Sequence, residues 1–110
     1  MQKTYDEFLP MIKAISDETR LKIIDMLSCG EMCANDILEK FNLSQSTLSY
    51  HMKILSDAKI INANREGAWM RYTLKKDSVV ELIDYIKYII KDKDECICKN
   101  NVNIQTKIEE

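Results

Sequence analysis

A mainly α-helical chain carrying one small β-hairpin is what this sequence predicts, and three observations carry the prediction. Of its 110 residues, 45% are apolar and 31% charged, with two Gly and one Pro, a globular and helix-favouring composition. Apolar side chains recur at helical spacing from Tyr5 to Ala58. Between Ile61 and Leu74 the period shortens to two. A chain of this length makes one domain, or one domain with a tail, because separate cores usually need roughly 100 residues each. No apolar run approaches the roughly 18 residues of a membrane span, and Met1 to Pro10 lacks a signal-peptide core. A cytoplasmic protein with no membrane contact is expected.

The elements follow in order. Tyr5, Phe8, Leu9, Ile12 and Ile15 set a first amphipathic helix that ends near Ser16. Ser16 or Asp17 caps a second, with Leu21, Ile24 and Leu27 on one face and Gly30 as its stop just beyond Cys29. A shorter third helix starts near Cys33 or Ala34, turns Ile37, Leu38 and Phe41 inward and breaks at Asn42. The fourth has Ser44 as its N-cap, with Leu43 and Leu48 at the positions of a hydrophobic staple. Its Leu48, Met52 and Leu55, spaced i, i+4, i+7, face inward and leave Gln45, Ser46, Ser49, Tyr50 and Lys53 outside. Two short helices joined by about three residues, the second with a small-polar outer face, form the helix-turn-helix arrangement that fits a DNA major groove.

After Ala58, Ile61 and Ala63, then Met70, Tyr72 and Leu74 against Trp69, Arg71 and Thr73, read as a hairpin. Its turn lies around Arg65-Glu66-Gly67-Ala68, where Gly67 supplies the positive backbone dihedral such turns demand. A hairpin so placed is a wing. Arg65 near its tip and Arg71 on a strand are candidates for phosphates flanking the groove, and Lys75 and Lys76 extend the basic edge. From Asp77 to about Lys93 a last helix carries Val79, Ile83, Ile86 and Ile90 on one stripe, with Val80, Leu82, Tyr85 and Ile89 beside it. So wide an apolar surface cannot all be hidden in a small domain, so one stripe is expected to meet a partner subunit, giving a homodimer. The predicted organisation is a DNA-binding and dimerisation domain over 1–93 and a polar, cysteine-containing tail over 94–110.

The net charge of −2 conceals a division along the chain. Residues 1–43 carry five basic and eight acidic side chains, whereas residues 44–76 carry six basic and two acidic. A basic footprint confined to one segment is the pattern expected where a polyanion touches one face of an otherwise acidic protein, although chance also produces it.

The runs Asp17-Glu18-Thr19-Arg20-Leu21, Leu43-Ser44-Gln45-Ser46-Thr47-Leu48-Ser49-Tyr50-His51-Met52-Lys53-Ile54-Leu55 and Arg65-Glu66-Gly67-Ala68-Trp69, in that order and spacing, resemble the ArsR/SmtB family of winged-helix repressors. The match spans about residues 5–93. The resemblance implies a dimer of winged helix-turn-helix subunits, paired through the first and last helices, that blocks transcription until an inducer binds. It places Phe8 and Ile12 with Val79, Ile83, Ile86 and Ile90 at the dimer interface. Mechanistically, the surface from Ser44 to Lys53 would enter the major groove, with Gln45, Ser46, Thr47, Ser49 and Tyr50 as candidates for bases or nearby phosphates. Gln45 leads, since a side-chain amide pairs bidentately with adenine. The operator would be an inverted repeat of double-stranded DNA with half-sites about 34 Å apart. Lys53, Arg65 and Arg71 would supply sequence-independent affinity. The plainer alternative is that these serines and threonines only cap and solvate the helix. His51, the sole histidine, reads as a packed or DNA-facing residue in preference to a metal ligand, and Met26, Met32, Met52 and Met70 as core fillers.

The four cysteines fit metal or redox chemistry better than structural disulfides. Members of this family often carry a thiolate site in a Glu-Leu-Cys-Val-Cys-Asp pattern at the start of the third helix. Here Glu31-Met32-Cys33-Ala34-Asn35-Asp36 keeps the first thiol and has Asn35 in place of the second. Another family site, with Asp and His on the last helix, cannot be built by a chain whose only histidine is His51. Cys29 and Cys33 remain, straddling a turn, with Cys33 near a helix N-terminus that favours its thiolate, together with Cys96 and Cys98, which share one side if extended. The expected inducer is arsenite, antimonite or a soft divalent ion such as cadmium, lead or zinc, held by three or four of these thiolates. A thiol redox switch and a regulator with no ligand are the alternatives. No phosphate loop, carboxylate pair or Cys-His pattern with an orienting third residue points to an enzyme.

Overall fold

A computed structural model describes residues 5–94 and residue 98. Five helices and three strands follow in the order α1 (Tyr5–Ile15), α2 (Glu18–Leu27), β1 (Met32–Cys33), α3 (Ala34–Lys40), α4 (Gln45–Asp57), β2 (Ile61–Glu66), β3 (Trp69–Leu74) and α5 (Lys76–Ile90). The strands form one antiparallel sheet in the order β1-β3-β2. Among the described residues, no helix is long and apolar enough to cross a membrane.

The core is one cluster to which every helix contributes. Phe8, Met11 and Ala14 enter it from α1, Ile37 from α3, and Leu48, Met52 and Leu55 from α4. From α5, Leu82 and Tyr85 point inward, and the Tyr85 ring stacks on Phe8 at 4.2 Å between centroids. On α2 the buried pair is Ile23 and Leu27, while Leu21 is 51% exposed. The expected Leu21, Ile24, Leu27 face is therefore rotated. The cause is Arg20: its side chain is anchored inward, so Arg20, Ile23 and Leu27, spaced i, i+3, i+7, form the inner stripe.

Local signals fix α4 at both ends. The Ser44 hydroxyl accepts the Thr47 backbone N–H at 3.1 Å, as an N-cap does. At the other end, the Lys59 N–H reaches the Ser56 carbonyl and the Ile60 N–H reaches the Leu55 carbonyl, both at 3.0 Å. That pair of bonds is a Schellman motif with Lys59 in the left-handed region at φ 64°, and Leu55 and Ile60 form its buried apolar contact.

Two boundaries differ from the sequence reading. The last helix stops at Ile90 and not near Lys93, because Lys91 is already extended. Strand β1, which was not anticipated, pairs Met32 with Tyr72 and Cys33 with Arg71. Two residues are too few to show a period of two, and only the neighbouring β3 defines them as a strand.

Candidate nucleic-acid interface

The outer face of α4 is the surface the sequence pointed to. Gln45, Ser46, Ser49, Tyr50 and Lys53 are all exposed, Tyr50 by 61%, on the side opposite Leu48, Met52 and Leu55. Ser44 and Thr47 sit at the same end, but their hydroxyls are engaged with each other at 2.9 Å, so their observed work is to cap the helix. Lys53 reaches Asp57 one turn on, at 3.2 Å.

His51 does not lie on this face. It is 9% exposed, and its Nδ1 is 3.1 Å from Arg20 Nη1. The helical turn that aims Tyr50 outward aims His51 at α2. Neither Arg20 nor Asp17 was singled out from the sequence as a site residue, and both belong to this arrangement. Asp17 caps α2 by accepting the Arg20 backbone N–H at 3.1 Å. That hydrogen bond, with the positive charge of Arg20, holds the Asp17 carboxyl below its ordinary value against some desolvation. A cap residue followed three positions later by a long cation on the inner stripe was the available signal.

The wing is tighter than expected. Only Gly67 and Ala68 lie outside the strands, with Gly67 left-handed at φ 62°, so Arg65 and Glu66 are strand residues. Register then separates the two arginines. Arg65 is opposite Met70 and Ala63 opposite Tyr72, and these four side chains line a groove of about 300 Å³ against Ser49, Met52, Lys53, Ser56 and Asp57 of α4. Arg71 is one residue out of phase and therefore on the other sheet face. Its Nε is 2.8 Å from Glu66 Oε1. Arg65 stands beside α4, and Arg71 lies on the opposite face of the sheet.

The proposed dimer residues divide in the same way. Ile83, Ile86 and Ile90 are exposed, with Ile90 at 75%, and Val80 and Ile89 join them, while Val79 and Ile12 are half-buried. Phe8 is 2% exposed beneath Tyr85, so it serves its own core and is not available to a partner. On α1 the large apolar side chains left outside are Tyr5 and Leu9.

Of the cysteines, Cys29 is exposed beyond α2, Cys33 is half-buried in β1 as the N-cap of α3, and Cys98 is exposed. Cys96 lies outside the described residues. Gly30, at φ 138°, makes the turn between Cys29 and Cys33. The Asp36 carboxylate accepts the Cys33 N–H at 3.2 Å, and hydrogen bonds from Cys33 hold its carboxyl below the ordinary value, helped by the charge of Arg71. A carboxylate thus already faces the start of α3, beside the thiol that the helix dipole is expected to favour as thiolate. Among the described residues, no three His, Cys, Asp or Glu side chains converge as a cation site.

A family model described as bacterial regulatory protein, arsR family, matches residues 17–63. Over 97 residues the chain is 40% identical to an arsenical resistance operon repressor of Staphylococcus aureus, covering 88% of this chain and 93% of that protein. The chain belongs to the arsR family. An arsenical resistance operon repressor of Staphylococcus xylosus is 44% identical over 101 residues, with 88% and 93% covered. Among solved structures, the homodimeric winged helix-turn-helix DNA-binding domain Mb0332 of Mycobacterium bovis superposes with a TM-score of 0.64 at 25% identity, over 76% of this chain and 78% of that one. The fold is accordingly a winged helix, and family and fold are those of transcriptional regulators, not enzymes.

Proposed function

We propose that this arsR-family protein is a homodimeric, cytoplasmic repressor that reads an inverted-repeat operator with α4 and releases it when a thiophilic ion binds its cysteines. The observation that carries the reading is the division of α4, apolar toward the core and polar on a protruding outer face, beside a wing whose Arg65 shares a groove with Lys53. Gln45 is the base reader, with Ser46, Ser49 and Tyr50 around it, while Lys53 and Arg65 neutralise phosphates. The isoleucine stripe of α5, with Tyr5 and Leu9 of α1, joins two copies so that both recognition helices face one side of the duplex.

The inducer is arsenite, antimonite or a soft divalent ion. Support comes from the names of the arsenical repressors that the chain resembles and from the donors themselves: Cys29 and Cys33 flank one turn, and thiolates select soft ions. Two thiols are fewer than a stable site needs, so Cys96 and Cys98 of the 94–110 tail complete the set. Release requires the ion to favour the weak-binding conformation by a coupling on the order of 1–3 kcal/mol.

The test is fluorescence anisotropy on an inverted-repeat duplex with and without arsenite, cadmium or lead. Binding by a dimer, lost on adding one of these ions, is the expected result. Serine at both Cys96 and Cys98 should leave DNA binding intact and abolish release. A monomer that binds no palindromic duplex at low salt refutes the repressor reading. A double-serine protein that still responds refutes the tail thiolates.

A further inference from the structure

The three-helix junction around Arg20 is not used by the proposed DNA contact, dimerisation or thiol chemistry, and its hydrogen bonds are part-buried. Arg20 Nε donates to the Ala14 carbonyl at 2.6 Å, its backbone N–H donates to Asp17 Oδ2 at 3.1 Å, and its Nη1 lies 3.1 Å from His51 Nδ1. Ala14 is in the last turn of α1, where carbonyls have no helical partner, so Arg20 satisfies an orphan group there. His51 lies in the middle of α4, between Leu48 and Leu55 on the buried side. One guanidinium therefore ties the end of α1, the start of α2 and the centre of α4 together.

From this geometry we infer that Arg20 and His51 are a positioning pair that sets the pose of α4 against α1, and that His51 performs this role only as the neutral imidazole. The inference rests on the reading of α4 as the DNA-reading helix. A guanidinium has five N–H donors and no acceptor, and it does not deprotonate in proteins. The nitrogen facing it must accept, so the Nδ1 lone pair is free and the ring proton sits on Nε2. Protonation would put a second donor and a second positive charge against Arg20. The charged groups facing the ring are Arg20 and Asp17, the latter at 3.9 Å and already accepting the Arg20 backbone N–H. From α1 comes the Ala14 carbonyl, through Arg20, and from α4 itself the neighbouring Tyr50 ring, edge-on at 5.3 Å. An imidazolium is thus pushed from Arg20 toward the cap of α2, and α4 loses its tie to α1. Since α1 lies on the dimer side, the spacing of the two recognition helices changes with it.

His51 is the only histidine, so its behaviour can be read without assignment ambiguity. Histidine is the side chain that changes charge between about pH 5 and 8. In the full-length dimer at constant ionic strength, operator affinity should fall roughly tenfold on acidification if the tie is worth one hydrogen bond to a charged group. His51→Asn places an amide oxygen where Nδ1 was, which accepts from Arg20 at every pH. Its affinity should stay within about twofold of wild type at the higher pH and lose the decline, a result that a merely structural histidine would not produce. An unchanged pH profile in His51→Asn overturns the inference. Independently of DNA, nitrogen NMR of the single imidazole should show the Nε2–H tautomer near neutral pH, and an Nδ1–H ring overturns it. Should the wild-type dimer bind no duplex at any pH, the reading of α4 fails and the tautomer alone decides the pair.

Discussion

Helices α4 and α5 are alike on the inside and opposite on the outside. Each buries a narrow apolar face, Leu48, Met52 and Leu55 in one and Leu82 and Tyr85 in the other. Outward, α4 shows an amide, hydroxyls and a lysine, whereas α5 shows Val80, Ile83, Ile86, Ile89 and Ile90. Their ends differ too. The α4 helix has a side-chain cap at Ser44 and a Schellman motif at Lys59, while α5 has no side-chain cap at Lys75. On the proposed reading, a helix that meets a rigid duplex in one pose carries its own alignment, and one that packs on a second copy takes its alignment from that copy. The face that does not enter the core is what would distinguish the two proposed roles.

Four comparisons of variants test this contrast, the largest expected effect first. Ile83→Glu with Ile90→Glu places charges in the outer face of α5 and should give a folded monomer by sedimentation, with palindrome affinity reduced on the order of 10²- to 10⁴-fold as the second half-site loses its tether. A dimer that persists would move the interface elsewhere. Leu55→Ala, at a fully buried site on α4, should cost about 2–5 kcal/mol in denaturant unfolding, while Ile90→Ala should leave the monomer stability within about 0.5 kcal/mol. Equal costs would erase the distinction between the inner and outer faces. Gln45→Ala should lose about 1–3 kcal/mol of operator binding and relax preference at one base pair in a competition series, leaving dimerisation intact. Smaller still, Arg65→Ala should weaken binding to all sequences and lower the salt slope by about 1, whereas Arg71→Ala, already paired with Glu66 on the other sheet face, should leave that slope unchanged.

What was legible in the sequence was what is local. The cap at Ser44, the inner stripe of α4 and the glycine turn of the wing each depend on residues within a few positions of one another, and all three appear in the structure. The pieces that escaped depend on distant partners. Strand β1 exists only because β3 runs beside it. The roll of α2, which exposes Leu21, is set by Arg20 meeting a carbonyl of α1 and a ring of α4, and no hydrophobic period records such a polar anchor. His51 was placed between core and outer face by spacing, and Arg20 decides the matter in favour of the core. Arg71 needed the strand register before its side of the sheet could be known, and Phe8 needed Tyr85.

Lys59 occupies a backbone conformation that glycine or asparagine adopts with less strain. Lys59→Gly should therefore raise the melting temperature slightly, by the equivalent of about 0.5 kcal/mol once the greater freedom of glycine in the unfolded chain is subtracted. Thermal tolerance can be engineered at that corner without touching either apolar surface. It removes a cation from the basic middle of the chain, so thermotolerance and the proposed duplex attraction would trade against each other at a single codon.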